Sequence, residues 1–187
     1  MPKPPLVVFT IGHSNRSVDE FLGLLRRSGI RQLADVRRRP FSRRNPQFEQ
    51  ETLEYILNVS WVSYRHLETL GGHREPVAGS PHCALDTTFR GYADHMGSDA
   101  FALAVEELLA WARSARTAVL CAEADPTRCH RHLLGDYLAV RGVRVVHILD
   151  GATIADHNLS ALARVDGERL IYDAGRLELD FEEPRQG

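Results

Sequence analysis

Lysine is nearly missing from this chain: Lys3 is the only one among 23 Lys and Arg residues. Genome composition is a sufficient cause. The guanidinium nevertheless offers a planar fork that suits phosphate and carboxylate, which an ammonium does not. An excess of charge is missing too. The net charge of −2 excludes a global pull toward nucleic acid or an anionic membrane. No apolar run approaches the roughly 20 residues of a membrane span, and the apolar stretch in the opening MPKPPLVVFT is too short for a signal peptide. The chain is therefore expected to be cytoplasmic and away from membranes. Cysteine is scarce and odd in number (Cys83, Cys121, Cys129), which argues against a disulfide framework in that compartment. CxxC and HExxH are both absent, and nine histidines are scattered without zinc-site spacing, so no metal and no cofactor is expected.

What is present is an alternation of strand and helix patterns. At 187 residues the chain suits a single domain over 1–187. Short apolar runs at 6–11 (LVVFTI), 32–36 (QLADV), 117–121 (TAVLC) and 143–149 (VRVVHIL) read as strands, and 61–66 (WVSYRH) alternates in part. Ser17 and Glu20 form a capping box ahead of Phe21, Leu24 and Leu25, with Gly29 as the stop. Asn45-Pro46 opens a second helix. Residues 88–113 are helical with a break near Gly97-Ser98, and 131–141 form another helix. The span 71–86 reads as a long loop. In the tail, 152–162 is expected to be a short helix, and 169–172 with 176–179 an edge hairpin. The fold class is α/β: a single-domain three-layer fold whose mostly parallel sheet is flanked by helices, with right-handed crossovers.

Ligands of such sheets sit beyond the carboxyl ends of the strands. Four loops leave those ends, the last being LDG with Asp150, followed by His157. The first, GHSNR, carries His13 and Ser14. The second, DVRRRPFSRRN, carries Asp35, Arg37, Ser42 and Arg43 among five arginines stiffened by Pro40. The third, CAEADPTRCHR, carries Cys121, Glu123, Cys129, His130 and Arg131. The arginines either pair with surface acids in a solvated loop or hold an anion. Cys129 lies just before a helix, where free amides, the macrodipole, Arg128 and Arg131 favour a thiolate, so it is the candidate nucleophile. Glu123, His13 and His130 are candidates to move protons. Ser14, Asp35, Arg37, Ser42, Arg43, Arg131 and Cys121 are expected to bind substrate, although Cys121 also suits a buried small hydrophobe. A cysteine-phosphatase loop is not present: it needs a cysteine five residues before its arginine, with glycines between, and Cys121 is ten before Arg131. His147, inside a strand, is expected to be a hydrogen-bonded core residue, and Tyr92 and Met96 pack in the core.

TIGHS near the start, DVR followed by Pro40 and Ser42, LGG at 70–72, and CAE followed by CHR, then a strand with His147-Ile148, together resemble the domain of unknown function 488 family. The resemblance covers about 10–157 and implies a compact α/β core over about 6–157, with a C-terminal extension over 158–187. Its motif positions fall on Gly12, His13, Ser14, Asp35, Arg37, Pro40, Ser42, Gly71, Gly72, Cys121, Glu123, Cys129, His130 and Arg131. It implies no activity.

Acid, base, thiol and cation at one rim suggest an enzyme acting on a phosphate-bearing small molecule, a nucleotide or a nucleic-acid end. Two alternatives stay open. One is a non-catalytic nucleotide- or nucleic-acid-binding module in which the arginines do the work. The other is a thiol redox or metal-sensing protein, which would need the sulfurs of Cys121 and Cys129 close together.

Overall fold

Val7–Gly12 (β1) is apolar and largely β-branched up to Ile11, and it forms a strand buried on both faces. The structure is a computed structural model that describes residues 5–151 and 153–174. In it β1 lies inside a six-stranded sheet with β2 (Gln32–Asp35), β3 (Ser63–His66), β4 (Thr117–Cys121), β5 (Arg144–Ile148) and β6 (Ile154–Asp156). Their order is β3-β2-β4-β1-β5-β6, and every pairing is parallel except that of β5 with β6. This is the mostly parallel α/β sheet that the alternation of patterns implies.

Two helices, α1 (Val18–Arg27) and α2 (Gln50–Val59), cover one face; α3 (Thr87–Met96), α4 (Asp99–Ala112) and α5 (Arg131–Ala139) cover the other. The period-2 alternation of the strands sorts the side chains between these layers. Phe9, Ile11, Leu33, Ala118 and Leu120 meet Phe21, Leu24, Leu53 and Leu57, whereas Val8, Ala34, Val119 and Val145 meet Phe101, Leu108, Leu134 and Leu138. Each fully buried Leu or Phe contributes roughly 1.5–3 kcal/mol.

Local signals set the helix boundaries. The Ser17 side chain accepts from the Glu20 amide at 3.2 Å, and Gly29 takes a left-handed φ of 65° beyond the helix end. Ser98 accepts from the Phe101 amide, which separates α3 from α4. Asn45-Pro46 starts only a 3₁₀ turn (Pro46–Phe48), and α2 begins at Gln50.

The tail departs from the sequence reading. The expected helix over 152–162 is absent among the described residues; Ile154–Asp156 instead forms β6, whose backbone completes the edge of β5. The hairpin exists, but the partner of β8 (Arg169–Tyr172) is β7 (Ala163–Asp166), and 176–179 lies outside the described residues. Leu170 and Tyr172 of β8 are buried against the α3–α5 layer. No helix among the described residues is long and apolar enough to cross a membrane.

Candidate active site

The chain leaves β1 through α1 toward β2 and leaves β4 through α5 toward β5, on opposite faces of the sheet. Between these diverging connections a crevice opens above the carboxyl ends of the strands. Two hydrogen bonds continue the β1–β4 pairing into the loops: His13 N to Cys121 O at 3.0 Å and Ser14 N to Ala122 O at 2.7 Å. The approach is so close that a Cβ on Gly12 would lie 1.7 Å from the Glu123 carbonyl oxygen. Arg131 ties the second loop down. It is 1 % exposed, and its guanidinium donates to the carbonyls of Glu123 and Ala124.

The resulting cleft has a volume of about 1010 Å³. The structure brings His13, Ser14, Arg37, Ser42, Cys121, Glu123, Cys129 and His130 together along it. Asp35, Arg43 and Arg131, expected to bind substrate, are not among the lining residues. Asp35 is fully buried beneath the floor, where it accepts from Arg37 Nε at 2.9 Å, Arg37 Nη2 at 2.5 Å and Tyr64 Oη at 2.9 Å. Burial alone would lower the Arg37 pKa, but the hydrogen bonds and charge of Asp35 raise it. Arg37 also donates to the Phe48 carbonyl at 2.8 Å. Around this neutralised pair stand exposed Arg38, Arg39, Arg44 and Arg128, and Glu123 is the one acidic residue among the lining residues. Of the Arg43–Arg44 pair, Arg44 lines the cleft and Arg43 does not.

The thiols behave opposite to the sequence expectation. Cys121 and Cys129 are both free and buried, with their sulfurs 2.7 Å apart. The Cys129 thiol donates to Cys121, which is the largest cause of the lowered Cys121 pKa; burial opposes it, and Arg131 and the amides of Ala122 and Glu123 add to it. Cys129 is pushed up instead, first by burial and then by serving as that donor. It does not reach the start of α5, because its backbone is extended and His130 takes the N-cap position. Of the two, Cys121 is therefore the thiol biased toward ionisation. Two amides turn toward its sulfur without any glycine in the loop, so the spacing of a cysteine-phosphatase loop is not required to favour a thiolate here.

His130 sits beside both sulfurs, with Nδ1 3.6 Å from Cys121 and 3.8 Å from Cys129. Its Nε2 lies 3.2 Å from the Val36 carbonyl, which accepts a hydrogen bond from it. That assigns the proton to Nε2 and leaves Nδ1 as a lone pair toward the thiols. A Cβ on Gly72 would press on this ring at 2.8 Å, so Gly72 makes room for it. His13 is differently placed. It stacks on Phe48 at 4.6 Å, its Nδ1 meets the Ser14 carbonyl at 2.8 Å, and its Nε2 faces Arg37 at 3.3 Å. Burial and Arg37 push its pKa down to about 4. It is neutral near pH 7 with both nitrogens engaged.

Several lining residues were not marked by the sequence. Phe41 is 64 % exposed and offers an aromatic face between Arg39 and Arg44. Phe89 and Tyr92 of α3 reach the far wall, and the Tyr92 ring abuts His130 at 4.9 Å. Ser14 (φ 50°) and His73 (φ 57°) hold left-handed backbones that few residues other than glycine adopt; both line the cleft. Cys121, Cys129 and His130 each offer a ligand atom within 4.8 Å of the others, so these three could hold a soft metal ion.

A family model described as "Domain of unknown function DUF488" matches residues 17–138, from just before α1 to the end of α5. The match covers more than half of the chain, which therefore belongs to this family. The matched span includes Asp35, Arg37, Cys121, Cys129 and His130, while Gly12, His13 and Ser14 precede it. No curated protein and no solved structure matched the chain.

Proposed function

We propose that this member of the DUF488 family is an enzyme that turns the Cys121 thiolate on a phosphate-bearing substrate, with a nucleotide as the class that fits best. Cys121 carries the proposal: its thiol, poised toward the thiolate, lies on the floor of a cleft ringed by Arg38, Arg39, Arg44 and Arg128. Exposed guanidiniums offer bidentate contacts to phosphate oxygens. Phe41 supplies a flat apolar face of the kind a base stacks on. His130 Nδ1 accepts the thiol proton, and Glu123, exposed on the rim, is placed to exchange a proton with solvent or leaving group.

The test is a stabilisation and turnover screen with nucleotides, phosphorylated sugars and oligonucleotides on wild-type protein and Cys121→Ser. Ligands raise the melting temperature by mass action. Turnover is expected to fall by about 10³-fold or more in Cys121→Ser, while ligand stabilisation persists. Unchanged turnover in that variant removes Cys121 from the chemistry.

The 2.7 Å sulfur contact favours a second reading, a dithiol that is oxidised to a Cys121–Cys129 disulfide as the substrate takes up two electrons and two protons. Cys129→Ser separates the two. It keeps a hydroxyl donor to Cys121 and so leaves nucleophilic turnover within about tenfold, whereas it abolishes the dithiol cycle.

A further inference from the structure

A second cluster lies outside the cleft, on the α5 face of the sheet. His147 projects from β5, His157 follows β6, and His132 stands in the first turn of α5. One ligand nitrogen from each falls within 4.8 Å of the other two. The inner nitrogens of His147 (Nε2) and His157 (Nδ1) face each other at 3.0 Å. Their outer nitrogens are both held by oxygens: His157 Nε2 lies 2.8 Å from the buried Asp136 carboxylate, and His147 Nδ1 lies 2.7 Å from Thr10 Oγ1. We propose that His132, His147 and His157 form a site for one divalent transition-metal ion of the zinc class.

Four observations converge on this. First, a carboxylate behind a histidine fixes the tautomer that leaves Nδ1 free, and is the usual outer partner of a metal-bound imidazole. Asp136 is itself fixed by Tyr172 Oη at 2.9 Å and the Ser160 amide at 3.0 Å. Second, two imidazoles bonded to one tetrahedral ion at about 2.0–2.1 Å have nitrogens about 3.3 Å apart, so the present spacing needs to open by only a few tenths of an ångström. Third, a chain from Thr10 through His147 and His157 to Asp136 satisfies those groups without an ion, but it leaves out His132, whose buried Nδ1 has no hydrogen-bond partner. Fourth, α5 makes room for the cluster: a Cβ on Gly135 would strike the His157 ring at 2.9 Å. Three imidazoles leave a fourth position open and favour Zn²⁺, Co²⁺ or Ni²⁺ over Mg²⁺ or Ca²⁺. His132 is only partly buried and gives the site its route to solvent.

Metal-stripped wild-type protein titrated with Co²⁺ tests this by absorption. Expected are saturation at one ion per chain, visible bands of a four- or five-coordinate ion, no near-ultraviolet thiolate band, and displacement by Zn²⁺. His132→Ala, checked for its fold by circular dichroism, is expected to weaken the affinity by about tenfold or more. His132→Asn serves as the second variant and is expected to do the same. No saturable uptake, a thiolate band that places the ion on Cys121 and Cys129, or unaltered affinity in both folded variants overturns the assignment. None of these readouts depends on turnover at the cleft.

Discussion

The sulfurs of Cys121 and Cys129 lie 2.7 Å apart, and this contact lowers the pKa of Cys121 while it raises that of Cys129. Two residues of one loop thus take opposite roles. Cys121, at the end of a strand, is biased toward the anion, and the buried Cys129 thiol donates to it. Alkylation with iodoacetamide, followed by peptide mass mapping, is expected to modify Cys121 at a pH below the ordinary thiol value of about 8.5. Cys129 is expected to react slowest. Preferential modification of Cys129 contradicts this division.

Asp35 is sealed under Arg37, and the pair is worth most when intact. Asp35→Asn leaves a buried guanidinium without its counter-charge and is expected to cost about 3–5 kcal/mol in urea unfolding. A loss below about 1 kcal/mol would mean that Arg37 escapes to solvent.

Gly12 marks where β1 and the thiol loop touch. Gly12→Ala is expected to lower stability by several kcal/mol or to displace the Cys121 loop, because its Cβ meets backbone at 1.7 Å. Gly97→Ala, with its nearest neighbour at 3.4 Å, is the matched control and is expected to cost under about 1 kcal/mol. Equal melting temperatures for the two variants would contradict the close approach.

How much of this was legible in the sequence depends on the range of the forces involved. β1, β4 and β5 announce themselves as apolar runs, and Ser17, Gly29 and Ser98 act on their own helix ends, so they read correctly. The gathering of the GHS, arginine and CAE…CHR loops followed from placing three strands in one parallel sheet. β6 did not read as a strand because its three residues are exposed and take their stability from the β5 edge. The thiolate was assigned to Cys129 because helix proximity is visible in sequence, whereas burial and the donor role of one thiol to another are not. His132, His147 and His157 looked scattered because a helix, a strand and a loop bring them together only in three dimensions.

Folding leaves its own pH signature. His13 and His147 are each held down to about 4 from 6.5, mainly by burial. Below pH 6.5 the unfolded chain binds these protons and the folded chain does not. Stability is therefore fully present above about pH 6.5 and declines toward about pH 4, by about 1 kcal/mol per pH unit for each histidine. His82, His95 and His132 shift in the same direction. Urea midpoints measured between about pH 4 and 8 are expected to show this slope, reduced in His147→Gln. A midpoint that rises on acidification contradicts it.

A reactive thiolate inside a cationic cleft has one direct signature that requires no knowledge of the substrate: the ratio of alkylation rates with anionic iodoacetate and neutral iodoacetamide, measured at Cys121 and at Cys83 in the same sample. The arginines around Cys121 are expected to raise that ratio severalfold over the one at Cys83, and salt or inorganic phosphate to lower it again. Equal ratios at the two cysteines, unaffected by phosphate, would mean that no anion is drawn to Cys121.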